Sequence, residues 1–288
     1  MDESQPPGNQ ACKRSLTKRV LAIRVLVGIV LIPIVLAVTY AGGLVFALLV
    51  GLLAGLGSYE LYGMTSRSGW RPSGAVGIAA SVLVCLSFHY GRSGLPGLVL
   101  AAAALILMVE RTARSSPDQY LGSLAVTLVG VVYCGWLLGF FIWLRGFGTS
   151  RIHPGPDLVY FVLVLTWSYD SFAYLIGSLV GRRRLFPTIS PSKTVEGTAA
   201  GLCGCVAAAL VSRATFASFL GIGDAVLLGL VIGIAAQAGD LAESMIKRSV
   251  GAKDSSNLIP GHGGFLDRFD SLLFAGPVFY FYARAFLR

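Results

Sequence analysis

The sequence predicts an all-α integral membrane protein with about nine transmembrane helices, and three observations indicate this class. Of its 288 residues, 55% are hydrophobic and only 13% are charged. The mean hydropathy of +0.74 lies well above that of ordinary soluble domains. Long apolar stretches recur along the chain, and most approach the roughly 20 residues that a helix needs to cross a bilayer. The formal charge of +9 is therefore evidence about membrane topology and not about nucleic acid.

The first element is a polar tail, residues 1–19, which we expect to be disordered in the cytoplasm. It contains Pro6 and Pro7, which do not favour regular structure. Its basic residues are Lys13, Arg14, Lys18 and Arg19. Basic residues next to a first span favour a cytoplasmic location. The apolar stretch that follows has no obvious small-residue cleavage site, so a cleaved signal peptide is not indicated.

The apolar stretches after the tail divide into an N-terminal group of transmembrane helices, 20–150, and a C-terminal transmembrane region, 151–288, which contains the polar segments described below. The predicted spans lie near residues 20–40, 43–62, 75–90, 94–109, 121–144, 157–180, 197–220, 224–246 and 269–287. Spans 75–90 and 94–109 are short for a bilayer about 30 Å thick, so they either cross fully or form one re-entrant hairpin. Both alternatives leave the sidedness of all later spans unchanged.

The basic residues indicate which ends of the spans face the cytoplasm. If the N-terminus is cytoplasmic and odd-numbered spans run outward, most Lys and Arg residues lie on the inner side, as the positive-inside rule requires. The polar segments near 181–196 and 247–268 then open to the cytoplasm, where nucleotides are found. Glu60 and Glu110 fall at inner ends of spans, where we expect them to be solvated.

The first polar segment whose side chains suggest a binding or catalytic role is 170–197. Asp170 lies inside a predicted span, where a carboxylate is costly and is by default functional or paired. A helix is predicted to start near Glu196, and the exposed backbone amides of such a start attract anions. The hydroxyl and ammonium groups just before that helix belong to Ser190, Ser192, Lys193 and Thr194. We therefore predict an anion-binding segment here.

The second polar segment, 237–270, carries several carboxylates between two strongly apolar stretches. The residues that share one helix face, because they recur at i, i+3, i+4 and i+7, are Asp240, Glu243, Ser244 and Lys247. A glycine-rich stretch, 260–264, breaks regular structure before Asp267 and Asp270. Carboxylates suit Mg²⁺ that carries a polyphosphate. The side chains that would meet the phosphate charge are Lys247, Arg248, Lys253 and Arg268.

This second segment resembles the signature of phosphatidate cytidylyltransferases, the CDP-diacylglycerol synthases. That signature reads S-x-x-K-R-x4-K-D and, after a short spacer, P-x-H-G-G-x-x-D-R-x-D. The matching residues are Ser244, Lys247, Arg248, Lys253, Asp254, Pro260, His262, Gly263, Gly264, Asp267, Arg268 and Asp270. The run SPSKTVEG at 190–197 is similar to the family's S-P-x-K-T-x-E-G. The resemblance covers residues 165–288, and the first half of the chain matches by hydropathy alone.

The resemblance implies that CTP and phosphatidate react to give CDP-diacylglycerol and diphosphate, in phospholipid biosynthesis. It implies a multi-pass protein of the cell (inner or plasma) membrane whose active site faces the cytoplasm. The implied catalytic residues are Asp240, Asp267, Lys253 and Arg268. The implied substrate-binding residues are Ser190, Ser192, Lys193, Thr194, Lys247, Arg248, His262, Gly263 and Gly264. Membrane lipid and a second copy of the chain in a homodimer are expected partners, and nucleic acid is not.

The resemblance also implies that Asp240 and Asp267 hold Mg²⁺, with a second cation such as K⁺ left open. The alternative for these two aspartates is an ion pair with a neighbouring Lys or Arg. Asp254 and Asp270 are either further metal ligands or groups that hold the ligands in place. His262 either contacts phosphate or has a structural role in its loop.

Two other functions compete with this hypothesis. A CTP-dependent lipid kinase of the polyprenol or phytol type would transfer the γ-phosphate and release CDP. A cation-coupled membrane transporter would also place Asp170 and Asp240 in spans, but it does not predict a basic phosphate-binding loop on one side only. Identification of the products of labelled CTP separates the first alternative, and solute uptake without CTP turnover indicates the second.

Overall fold

The computed structural model describes residues 28–91, 94–114, 116–148, 154–256 and 264–287. Its helices are α1 (Gly28–Ala41), α2 (Gly43–Arg67), α3 (Gly74–Ser87), α4 (Leu95–Arg114), α5 (Pro117–Gly130), α6 (Leu137–Arg145), α7 (Gly155–Val180), α8 (Val195–Thr215), α9 (Ile222–Ser249) and α10 (Asp270–Phe286). A π-helical segment, Val131–Trp136, joins α5 to α6. Short 3₁₀ turns, Phe88–Tyr90 and Leu266–Arg268, follow α3 and precede α10.

The prediction of an all-α integral membrane protein is confirmed. Within the described ranges, six helical segments are long and apolar enough to cross a membrane. They are α2, α4, the continuous α5–α6 segment, α7, α8 and α9. The segments Gly28–Ala41 and Gly74–Tyr90 are apolar but shorter. The helices lie close to the predicted spans, whereas the predicted number of about nine crossings is not established by length and composition.

A two-stranded hairpin interrupts the helices where the sequence predicted only a polar segment. Strand β1 (Arg184–Phe186) pairs antiparallel with β2 (Ser190–Thr194). Helix α8 follows directly, and Thr194 caps it because its Oγ1 accepts a hydrogen bond from the Gly197 N–H at 3.1 Å. The helix start predicted near Glu196 is therefore confirmed, with β2 leading into it.

Helices α7, α8, α9 and α10 pack together and form the part of the bundle that contains the two polar segments. Small residues allow the close approach of α7 and α8, because a Cβ atom on Gly197 would lie 3.1 Å from the Gly177 Cα and 2.8 Å from the Ala173 carbonyl oxygen. Gly239 of α9 similarly lies against the backbone of Asp270 and Ser271 at the start of α10. These contacts fix the two polar segments next to each other.

Candidate active site

A cavity of about 440 Å³ lies between α7, β2, α9 and the start of α10. Its charged lining residues are Asp170, Lys193, Asp240, Asp267, Arg268 and Asp270. The first two come from segment 170–197 and the other four from segment 237–270, so the fold brings both polar segments to one cavity. Four carboxylates and two cationic side chains in so small a space make this the candidate site.

An ion pair joins the two polar segments inside the cavity. The Lys193 Nζ atom on β2 lies 2.5 Å from Oδ2 of Asp240 on α9. Both side chains are largely shielded, with exposed fractions of 17% and 31%. On the same helix, the Ser244 hydroxyl lies 3.4 Å from the other carboxylate oxygen of Asp240. Asp240 therefore has a cationic partner from another element and is held at one side of the cavity.

Asp267 is bound more extensively than Asp240. Its Oδ1 accepts a hydrogen bond from the Lys247 ammonium at 2.6 Å, and the same ammonium lies 2.6 Å from Glu243 Oε2. Its Oδ2 accepts from the Gly264 N–H at 2.9 Å and from the Ser255 N–H at 3.3 Å, and it lies 3.1 Å from the Ser255 hydroxyl oxygen. The 3₁₀ turn before α10 is thus fastened through Asp267 to the end of α9.

These contacts determine the charge state of Asp267, which lies outside the membrane-spanning helices. Burial alone would raise its pKa, but the hydrogen bond and charge of Lys247 and the hydrogen bond from the Gly264 amide outweigh burial and lower the pKa to about 2. A carboxyl group whose folded pKa is depressed stabilises the fold above its unfolded pKa of about 4 and loses that contribution as the pH falls through about 2. Asp267 is therefore an anion throughout the physiological range.

The predicted anion-binding segment lies partly at the cavity. Ser192, Lys193 and Thr194 line it. Ser190 begins β2 and is not a lining residue. The lining residues from α7 include Asp170 and Tyr174, so the intramembrane carboxylate that the sequence singled out lies at this cavity.

Of the basic residues predicted to meet phosphate in the second polar segment, Arg268 lines the cavity, whereas Lys247, Arg248 and Lys253 are not lining residues. The Arg248 guanidinium donates to the carbonyl oxygens of Ile189 at 3.2 Å and Ala252 at 3.3 Å, so it ties α9 to the β1–β2 turn. Lys253 and Asp254 are exposed in the turns after α9, away from the cavity lining. His262 and Gly263, two further predicted substrate contacts, lie outside the described residues.

The donor chemistry of the cavity suits Mg²⁺, since its four aspartates offer oxygen ligands. Among the residues that the structure describes, however, no three His, Cys, Asp or Glu side chains come close enough together to hold a metal ion. Asp240 instead pairs with Lys193, and Asp267 pairs with Lys247. The ion pairs weighed for these aspartates are thus present, with Lys193 as a partner that the sequence did not suggest for Asp240.

The prediction that Glu60 is solvated is wrong. Its side chain is 2% exposed, and it accepts hydrogen bonds from the Ser255 hydroxyl, the Ser256 hydroxyl and two backbone amides just before Asp267. Glu110 is also shielded, with 13% of its side chain exposed, because it pairs with Arg111 at 3.0 Å. The available signal was the apolar sequence around Glu60, since a carboxylate in such surroundings needs donors from elsewhere in the fold.

A polar contact beneath the cavity was also missed by sequence reasoning. The Tyr169 hydroxyl donates to Oε1 of Gln237, and the Thr198 hydroxyl lies 3.4 Å from the same oxygen. These side chains come from α7, α9 and α8, so they join three helices at the inner wall of the site. Polar residues spaced this far apart in the chain give no sign of their pairing in the sequence.

Comparison with known proteins agrees with this geometry. Residues 22–286 match the model of a family described as the cytidylyltransferase family. The phosphatidate cytidylyltransferase of Bacillus subtilis is 31% identical over 83% of this chain and 89% of its own length. Phosphatidate cytidylyltransferase 4, a chloroplastic protein of Arabidopsis thaliana, is 32% identical over 87% of this chain and 70% of its own. The uncharacterized protein YnbB of Escherichia coli is 39% identical over 64% of this chain and 61% of its own.

Proposed function

This chain belongs to the cytidylyltransferase family, and we propose from that premise that it is a phosphatidate cytidylyltransferase. It is a nucleotidyltransferase that converts CTP and phosphatidate to CDP-diacylglycerol and diphosphate. The observation that carries the proposal is the single cavity in which Lys193 and Arg268 meet four aspartates from two separate sequence segments. A site for joining two phosphorylated substrates needs this combination of cationic side chains and oxygen ligands.

The reaction needs charge control more than it needs a covalent intermediate. A phosphate oxygen of phosphatidate attacks the α-phosphorus of CTP, a new P–O bond forms, and the bond to the β-phosphate oxygen breaks so that diphosphate leaves. Phosphatidate is already largely ionised near neutral pH, so little general base catalysis is required. Lys193 and Arg268 lower the repulsion between the two anions by contacting their phosphates.

Mg²⁺ bound at Asp240 and Asp267 would neutralise phosphate charge and polarise the phosphoryl oxygens. Asp270 is the better candidate for an additional ligand, because it lines the cavity whereas Asp254 does not. Lys193 and Lys247 pair with the two main aspartates. With a cation held at these carboxylates, the two ammonium groups would instead pair with phosphate oxygens of the substrate.

The membrane supplies the lipid substrate. The apolar helices keep acyl chains in hydrocarbon, and the cavity lies among polar residues at the ends of α7 and α9, where a head group can meet a soluble nucleotide. Nine crossings with a cytoplasmic N-terminus would place this end of the bundle on the cytoplasmic side of a bacterial plasma membrane. The distribution of basic residues supports that orientation.

The test uses the purified full-length protein in detergent with CTP labelled on the α-phosphate, phosphatidate and Mg²⁺. We expect labelled CDP-diacylglycerol together with diphosphate, and EDTA should abolish both. Labelled CDP accompanied by a phosphorylated lipid would instead identify a lipid kinase and refute the proposal. Absence of any CTP turnover, with solute uptake into proteoliposomes, would identify a transporter.

A further inference from the structure

Glu60 of α2 is a buried carboxylate to which the proposed reaction assigns no role. It lies in the N-terminal half of the chain, yet its four hydrogen-bond partners in the second polar segment, 237–270 (the cassette), are 195 to 206 residues away in sequence. The four donors surround both carboxylate oxygens. Oε1 accepts from the Ser256 hydroxyl and from the Phe265 N–H at 2.8 Å, and Oε2 accepts from the Ser255 hydroxyl at 3.0 Å and from the Leu266 N–H at 2.7 Å.

These donors lie on both sides of residues 257–263. Ser255 and Ser256 precede that segment, and Phe265 and Leu266 follow it. One buried carboxylate therefore fixes residues 255–256 relative to residues 265–266. A fully buried carboxylate is costly unless its oxygens are satisfied, so this arrangement is stable only while all partners are in place.

The same contacts reach Asp267 through a single residue. The Ser255 Oγ atom lies 3.0 Å from Glu60 Oε2 and 3.1 Å from Asp267 Oδ2. The Phe265 and Leu266 amides that Glu60 binds belong to the turn that carries Asp267 and Arg268. Glu60 thus fixes both the position of this turn and the position of Ser255, which faces Asp267.

We propose that Glu60 is a positioning residue for the transfer reaction, which holds Asp267 and Arg268 in their working arrangement from outside the catalytic region. The expected change in kcat rests on the proposed function, whereas the expected change in hydrogen–deuterium exchange does not. The proposal assigns to α2 a second contact to both sides of residues 257–263, beside that of Asp267, whose Oδ2 accepts from the Ser255 N–H and the Gly264 N–H.

A carboxylate is specifically required. The amide of Glu60→Gln has the same shape but only one accepting oxygen, so its NH₂ group must face at least one backbone N–H, which cannot reverse its polarity. Glu60→Asp keeps both accepting oxygens but is shorter by one methylene. The expected order of kcat is therefore wild type, then Asp, then Gln. Loss of a group that orients metal ligands typically costs about 10–100-fold in activity, and we expect Glu60→Gln to fall in this range.

The matched control is Glu110→Gln. Glu110 is also a shielded carboxylate, and it contacts Ser73, Arg111 and Arg114 but no residue of the cassette. We expect this variant to keep wild-type kcat per folded molecule even where its thermal stability falls. If Glu60→Gln and Glu110→Gln lose activity only in proportion to their loss of folded protein, Glu60 is merely structural and the proposal is overturned.

A second measurement does not depend on activity. Glu60→Gln should speed hydrogen–deuterium exchange at the Phe265 and Leu266 amides of the full-length protein in detergent, and Glu110→Gln should not. If Glu60→Gln does not fold, Ser255→Ala is the variant to measure. It removes one of the four donors to Glu60 and the side chain that lies between Glu60 and Asp267, so it should lower kcat by a smaller factor. Unchanged exchange at both amides, or wild-type kcat in Glu60→Gln, overturns the proposal. If the wild type makes no CDP-diacylglycerol, the proposed function fails, and exchange alone then decides the role of Glu60.

Discussion

Replacement of Asp267 by Asn tests the proposed metal site with the least change in shape. Asp267 Oδ1 faces the Lys247 ammonium at 2.6 Å, and Oδ2 faces the Gly264 N–H at 2.9 Å. Asn has only one accepting oxygen, so whichever way its amide is turned, an NH₂ group meets one of these donors. Loss of one hydrogen bond to a charged group costs about 1.5–3 kcal/mol of stability. Lys247 keeps its contact with Glu243 at 2.6 Å, so we expect the protein to fold.

The expected loss of activity is much larger than the loss of stability. The substitution removes the negative charge that would bind Mg²⁺, and deletion of one preorganised electrostatic contact commonly lowers kcat by about 100- to 1000-fold. The assay measures initial rates of CDP-diacylglycerol formation over a range of Mg²⁺ concentrations. Thermal unfolding of the same detergent-solubilised sample reports the folded fraction.

Asp224→Asn is the matched control for this experiment. Asp224 lies near the other end of α9, where it accepts hydrogen bonds from the Tyr282 hydroxyl at 2.6 Å and from the Gly221 N–H at 3.1 Å. It should show a similar local loss of stability with unchanged kcat. Near-normal kcat in folded Asp267→Asn at low Mg²⁺ would refute the reasoning and remove Asp267 from the mechanism.

Two further substitutions test the ion pair and the helix packing. Lys193→Met removes the ammonium 2.5 Å from Asp240. Without this ammonium Asp240 should bind Mg²⁺ more readily and the site should bind CTP less tightly, so we expect a lower half-saturating Mg²⁺ concentration and a higher KM for CTP. A change of both values in the same direction would contradict the proposal that Lys193 pairs with Asp240 or with the phosphates of CTP. Gly239→Ala places a Cβ atom against the Asp270 carbonyl oxygen, whereas Gly223 on the same helix has open space around it. Overpacking costs about 1–3 kcal/mol, so thermal unfolding should show Gly239→Ala destabilised and Gly223→Ala unchanged.

The sequence was sufficient for the helices because hydropathy acts locally. Apolar runs bounded by charged or glycine-containing segments gave spans close to those observed, and the i, i+3, i+4, i+7 spacing correctly placed Asp240 and Lys247 on one helix. For Asp170 and Asp240, the sequence predicted only that their two polar segments open to the same side of the membrane. Their presence in one cavity depends on the glycine contacts between α7 and α8 and between α9 and α10, which sequence periodicity does not reveal.

The contacts that sequence reasoning missed share one physical origin, which is long-range pairing of polar groups. Arg248, which matches the family pattern as a phosphate ligand, also binds the Ile189 carbonyl oxygen of the β1–β2 turn. Glu60 was assigned to solvent from its place near the end of a span, yet its donors are about 200 residues later in the chain. Burial of a charged group depends on where its partners lie in three dimensions, and a single sequence does not encode those distances in any local pattern.

Under the proposed function, the ion pairs at the cavity link the binding of nucleotide to the binding of metal. Four aspartates in about 440 Å³ repel one another, and cationic side chains lower that repulsion. Lys193 lies 2.5 Å from Asp240, and Lys247 lies 2.6 Å from Asp267. The polyphosphate of CTP would attract the same ammonium groups and so leave these carboxylates to a metal ion. Binding of nucleotide and binding of Mg²⁺ should therefore be mutually dependent, because each removes the partner that would otherwise oppose the other.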